Sequence, residues 1–264
     1  PFLLAPGHGG VDVYWAASPR TFAALADAGA LAPPEVDRTA LPGRIGGTVI
    51  DDPDGRYLAT EVAAGGFALN LPALQASNAP VPADWEDLAA PVHAGRIAMP
   101  IPSQVGFAGT LYDVCLQAQG WERGWALLSE IAANARLIGS RGAFVTDEVA
   151  AGRLPIGLTL DFFANSAIAN GAGISFRYPR TTGYTAAHVA MLAGTADRSP
   201  AATFIGFVLS PAGQRLLAHP DLRRLPVRPE VYATLPDGYH NPFAAAAGTG
   251  AAYDIGVALA RGEL

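Results

Sequence analysis

Three short segments of this 264-residue chain carry serine, two of them with glycine, where a strand gives way to a helix. Ser103-Gln104-Val105-Gly106 follows a strand-like stretch over 95–100 and precedes a helical stretch over 109–119. Ser140-Arg141-Gly142 follows Leu137-Ile138 and opens a helix that continues through Val149. Ser18 follows the alternating Val11-Asp12-Val13-Tyr14-Trp15 and precedes a helix over 21–28. Such a loop offers free backbone N–H groups and the positive end of a helix to an anionic group. In an open α/β sheet, ligands bind beyond the carboxyl ends of the strands. Ser18 also reads as a plain helix cap, with Pro19 at the first helical position.

Bond-making chemistry has no such signature. There is no G-x-S-x-G elbow, no P-loop lysine, no H-E-x-x-H and no C-x-x-C. His8, His93, His188, His219 and His240 are widely separated and read as surface or helix-end residues. Asp51-Asp52-Pro53-Asp54-Gly55 lacks the spacing of a calcium loop and reads as a solvated hairpin turn between strands over 48–50 and 56–61. Cys115, the single cysteine, lies in a stretch that reads as buried helix and permits no internal disulfide.

The elements that must hold these loops alternate. Strands are expected over 63–70, 155–160, ending at Asp161, and 174–178, with helices over 125–134, 186–193 and 200–209, the last extended by 214–218. Alternation of this kind implies an α/β fold with mainly parallel sheets. Half the residues are hydrophobic and 15% are charged, which excludes disorder and leaves enough core for two lobes or one large domain. A net charge of −6, with the basic residues scattered, argues against a nucleic-acid surface. No apolar run approaches the length of a membrane span.

The order of several motifs resembles the family 1 extracellular solute-binding proteins of ABC importers. Trp85-Glu86-Asp87-Leu88 precedes Gly95-Arg96-Ile97-Ala98 and Pro100; Asn134 closes its helix; Val149-Ala150-Ala151-Gly152 precedes Ile156-Gly157-Leu158; Tyr178-Pro179 precedes Gly183. The stretches over 202–214 and 225–231 are the most specific, and Val11-Asp12-Val13 and residues 28–33 also fit. The resemblance implies a type 2 periplasmic binding fold, two α/β lobes that close on ligand by a hinge. Residues 1–69 with 180–215 would form the first lobe, and 70–179 with 216–264 the second. It further implies a periplasmic monomer that serves an ABC permease, without cofactor, metal or catalysis. Relatives usually carry an additional strand, helix and strand before the segment matching Val11-Asp12-Val13, so a chain that begins at Pro1 reads as processed or truncated in its first lobe.

Within that family the expected ligand is a small polar, anionic solute: a phosphonate, phosphate ester, carboxylate or amino-acid-like molecule. Its expected contacts are Ser18, Ser103, Gln104, Gly106, Ser140, Arg141, Gly142, Asp161, Thr182 and Tyr184, with Tyr14, Trp15, Phe162 and Tyr184 as aromatic walls. Asp161 either meets an amino group on the ligand or caps the helix that follows it, and each aromatic reads equally as core packing. The iron-transporting relatives resemble this chain around Gly157-Leu158-Thr159-Leu160-Asp161, but next place an adjacent tyrosine pair that ligates the metal. Phe162 and Phe163 stand there in this sequence, so no iron site is expected. The other readings are a ligand-sensing module of a signalling system and an α/β enzyme; turnover of a bound ligand would favour the latter.

Overall fold

The computed structural model describes residues 2–4, 10–141, 143–249 and 253–261. In chain order the strands and α-helices are β1 (Val13–Ala16), α1 (Pro19–Asp27), β2 (Leu31–Ala32), β3 (Arg44–Ile45), β4 (Thr48–Val49), β5 (Tyr57–Leu69), α2 (Leu71–Ala76), α3 (Trp85–Leu88), β6 (Ile97–Pro100), α4 (Ala108–Gln119), α5 (Trp121–Asn134) and β7 (Ala135–Gly139). There follow α6 (Phe144–Ala150), β8 (Ile156–Leu160), α7 (Asp161–Ala169), β9 (Ser175–Arg177), β10 (Tyr184–Leu192), α8 (Arg198–Leu209), α9 (Pro211–Leu216), β11 (Leu225–Pro226), α10 (Pro242–Thr249) and α11 (Ile255–Ala260). The chain divides into two compact units. One comprises Pro1–Val62, Thr185–His219 and Arg224–Ala247, the other Ala63–Tyr184, Pro220–Arg223 and Gly248–Leu264. Residues 224–247 thus group with the first unit rather than within a lobe spanning 216–264.

In the first unit β10 lies between β1 and β5 and also pairs antiparallel with β2, in the registers Val13↔Met191 and Leu31↔Leu192. Phe22, Leu25 and Ala26 turn one face of α1 onto Leu31, Ala190 and Leu192. The Gln214 side chain joins three segments: its amide donates to the carbonyls of Thr60 (2.8 Å) and Val208 (3.0 Å), and its carbonyl accepts from the Val227 N–H (2.8 Å). Each bond replaces one to water, so the buried amide orders the α8–α9 junction.

The second unit is built on the Ala63–Leu69 half of β5, antiparallel to β8 and β9, with β6 parallel to both β8 and β7. Side chains alternate across this sheet, and both faces are covered. Phe67, Leu69, Ile97 and Met99 pack with Trp85, Leu111 and Ile131 from the helices on one face. Ala68 packs with Val149 and Ala164, and Ala98 with Val145 and Leu154, on the other. The small residues on that second face let α6 approach closely. A Cβ on Gly157 would lie 2.5 Å from Val145 Cγ1, and one on Gly139 would lie 2.0 Å from the Phe144 ring.

Several expectations change. Residues 186–193, alanine-rich and read as helix, form most of β10, because pairing on both sides overrides weak local propensity. The segments over 56–61 and 63–70 are one long strand, β5. The hairpin expected around residues 51–55 instead joins β3 to β4, upstream of the acidic turn. Within that turn Asp52 is 2% exposed and binds the Arg56 guanidinium through both carboxylate oxygens, so it is no solvated loop residue. Parallel pairing, expected to dominate, joins β6 to β7 and β8, whereas β10 pairs antiparallel with β1 and β2, and β5 antiparallel with β8, β9 and β11. His93 and His188 are fully buried, not superficial, while His8 lies outside the described residues.

Candidate functional site

The parallel registers of β6, β7 and β8 bring their carboxyl ends to one edge of the second unit, and each end feeds a helix: β6 into α4, β7 into α6, β8 into α7. The loop after β6 is anchored at both ends. Its Ile101 N–H donates to the Gly139 carbonyl (2.8 Å), and the Tyr112 hydroxyl donates to the Pro100 carbonyl (2.6 Å). A tight turn follows, with the N–H groups of Gln104 and Val105 both on the Ile101 carbonyl, at 3.1 and 3.0 Å. Val105 is buried, which leaves Ser103, Gln104 and Gly106 exposed. No side chain caps α4 at Phe107; the Ala108 N–H is taken by the Val105 carbonyl (2.9 Å), which leaves those of Gly109 and Thr110 for water or a ligand. A Cβ at Gly106 or Gly109 would meet nothing within 4 Å, so there is open space beside that first turn.

Ser140 and Arg141 are exposed in the loop after β7, where the Arg141 carbonyl accepts from the Phe144 N–H (3.2 Å). Gly142 lies outside the described residues. Asp161 begins α7 and is fully buried; its carboxylate accepts from the Phe162 N–H (2.8 Å) and from the Tyr178 hydroxyl (3.1 Å). Burial, and then the negative charge of Asp161, push the phenol of Tyr178 well above its usual range; burial and the same charge push Tyr184 upward. Both phenols are therefore neutral at any physiological pH. Thr182 is buried and its hydroxyl donates to the Gly65 carbonyl (3.0 Å), in register with Leu160.

The first turns of α4 and α7 touch. The ring of Phe107, the N-cap of α4, lies 5.7 Å from that of Phe163, which lies 4.2 Å from Phe162. The described sequence-predicted residues of the second unit therefore gather along one sheet edge. Tyr14 and Ser18 belong to the first unit. There Tyr14 packs on Phe22 at 4.8 Å and the Ser18 hydroxyl bonds to that of Thr21 (2.7 Å), without capping α1. Exposed Trp15 donates its indole N–H to Thr60 Oγ1 (2.9 Å). Phe163 and Tyr178 were named in the sequence but not counted among the contacts, and Phe107 was missed although it directly follows the quoted Gly106.

A groove of about 600 Å³ lies in the first unit, between residues 35–37 and the Ser199, Thr203 and Gly206 face of α8, with Arg228 also in its wall. It contains none of the predicted contacts, although Met191 near the carboxyl end of β10 and Ser199 in the first turn of α8 line it, so the edge in the second unit, which gathers those contacts, is the stronger candidate. Among the described residues, no group of three His, Cys, Asp or Glu could hold a metal ion, and no helix is long and apolar enough to cross a membrane.

Residues 12–244 match a family described as bacterial extracellular solute-binding protein. The phosphoglycerate transport regulatory protein PgtC of Salmonella typhimurium is 35% identical over 176 residues, 66% of this chain and 44% of that protein. The chain therefore spans less than half the length of the curated relatives it matches. Solved structures share its fold, two periplasmic binding proteins among them. The periplasmic binding protein AfuA from Actinobacillus pleuropneumoniae, with fructose-6-phosphate bound, has a TM-score of 0.68 at 19% identity, over 94% of this chain and 74% of AfuA. Iron-bound HitA from Pseudomonas aeruginosa has a TM-score of 0.71 at 19% identity, over 89% of this chain and 75% of HitA. The fold is thus the α/β fold of two-lobed periplasmic binding proteins, which bind small ligands and work with ABC permeases.

Proposed function

Because the chain belongs to the bacterial extracellular solute-binding proteins, we propose that it captures a small organic anion, a phosphate ester or carboxylate, in the periplasm and delivers it to an ABC permease. The observation that carries this reading is the meeting of the uncapped first turn of α4, the Ser103 to Gly106 loop and the start of α7 at one sheet edge. Backbone N–H groups and hydroxyls there hold an anion through charge-assisted hydrogen bonds without a buried lysine. Arg141 adds a positive charge from the neighbouring loop. The fructose-6-phosphate of AfuA and the phosphoglycerate in the name of PgtC point to the same ligand chemistry.

Iron, the cargo of HitA, fits these residues poorly. A hard trivalent cation needs anionic oxygen donors, and Phe162 and Phe163 offer none. The Tyr178 hydroxyl already donates to the Asp161 carboxylate at 3.1 Å. The protein acts as a monomer and turns nothing over. Native mass spectrometry for a co-purified molecule, followed by calorimetric titration with fructose 6-phosphate and 3-phosphoglycerate, tests this reading. Saturable one-to-one binding supports it; indifference to every phosphate ester and carboxylate, with iron bound instead, overturns it. The name of PgtC also favours a second reading, a ligand sensor in a regulatory system. Stimulation of a reconstituted permease's ATPase by the loaded protein would decide for transport.

A further inference from the structure

We propose that the captured anion carries a ring, and that Phe107, Phe162 and Phe163 form the platform on which this ring lies; the inference rests on the anion-site reading above. All three side chains are half-buried. The face that α7 turns inward is made by Asp161 and Ala164, and Phe107 packs with one side against the core of the second unit's sheet and helices. The rings of Phe162 and Phe163 pack on each other, 4.2 Å apart and inclined by 39°. Phe163 then continues to Phe107, at 5.7 Å and 44°. Three adjoining apolar rings left in partial contact with water are costly unless something covers them.

What covers them is specified by the neighbours. The row begins at the N-cap of α4, one residue beyond Gly106, so an anionic group held at that first turn brings whatever it is attached to over Phe107 and Phe163. Open space beside Gly106 and Gly109 leaves room for that body. A flat heterocycle, or the C–H face of a sugar ring, gains stacking and dispersion on such a surface; a short acyclic chain covers far less of it. Ligand sites built this way fix orientation with a few polar groups and draw selectivity from the aromatic wall. The chain therefore selects ring-bearing phosphate esters over acyclic ones.

Calorimetric titration with pyridoxine 5′-phosphate, fructose 6-phosphate, 3-phosphoglycerate and inorganic phosphate tests the proposal. At least one ring-bearing ester is expected to bind ten times or more tightly than 3-phosphoglycerate. Phe163→Ala should abolish most of that preference and change 3-phosphoglycerate affinity by less than twofold, while Phe163→Tyr, which keeps the ring, retains it. Phe162→Ala serves as a second variant, and the melting temperature of each confirms folding. Equal affinity for ring-bearing and acyclic esters, or an equal loss for both in Phe163→Ala, overturns the platform and leaves the anion site standing. Failure of every phosphate to bind overturns the anion-site reading itself, and this inference with it.

Discussion

Lowering the pH from 7 to 5 is expected to destabilise the protein through one buried imidazole. His188, in the middle of β10, is 2% exposed, with Phe22 and Tyr57 against it at ring distances of 5.4 and 5.1 Å. Its Nε2 lies 2.8 Å from the Ile50 carbonyl, which can only accept, so the neutral tautomer carries its proton there. Burial lowers the pKa of His188 to about 4, against the partial opposition of the Ile50 carbonyl and the Asp52 charge. The unfolded chain takes up a proton near the ordinary value of about 6.5, and the folded chain does not until about pH 4. Stability is therefore complete above about pH 6.5 and falls as pH drops toward 4. The linkage relation puts the loss between pH 7 and 5 at about 2 kcal/mol. His93 and His240 are lowered in the same direction, so His188 must be isolated by substitution. Urea unfolding followed by tryptophan fluorescence at pH 7, 6 and 5 should show a slope shallower by about 2 kcal/mol in His188→Gln, whatever the variant's absolute stability. Parallel pH profiles for the two proteins would refute the assignment.

Asn134→Ala is expected to cost about 2 kcal/mol in urea unfolding, because it strips the Leu88 and Ala90 carbonyls of the buried amide that donates to them at 2.9 and 3.0 Å. Gly157→Ala should cost roughly 1–3 kcal/mol by forcing Val145 and Val149 away from β8. Gly109→Leu, with open space around it, should leave the melting temperature within a few degrees of wild type and weaken anion binding, a split that calorimetry with the preferred phosphate ester reads directly. The double change Ser103→Ala and Ser140→Ala, at two exposed positions, should lower affinity by more than tenfold, about 1.4 kcal/mol, with no loss of stability. Ferric citrate should give no phenolate-to-iron absorption band with tight stoichiometric binding.

The second unit was the more legible in sequence, because its strands are short apolar runs ended by proline, glycine or aspartate, and its loops carry their own polar signature. Ser140 and Asp161 stand directly after parallel strands and Ser103 three residues beyond one, a relation that spacing and alternation convey without coordinates. The first unit was harder to read. Thr185-Ala186-Ala187-His188 has the composition of a helix, and only pairing with β1 and β5 makes it a strand. The burial of His93 and His188 was equally invisible, since a histidine's depth depends on which elements close over it. Phe107 and Phe163 each directly follow a residue already read as a contact, whereas Tyr178 joins Asp161 across 17 residues, which no local pattern records.

Amide chemical shifts recorded while the protein is titrated with fructose 6-phosphate, or with whichever ester calorimetry prefers, test the central claim most directly. Saturable shifts should be largest for the N–H groups of residues 103–110 and 161–164, with that of Arg141 following at the same midpoint. Shifts concentrated instead on residues 35–37, 198–210 and 228 would place the ligand in the groove beside α8 and contradict the account.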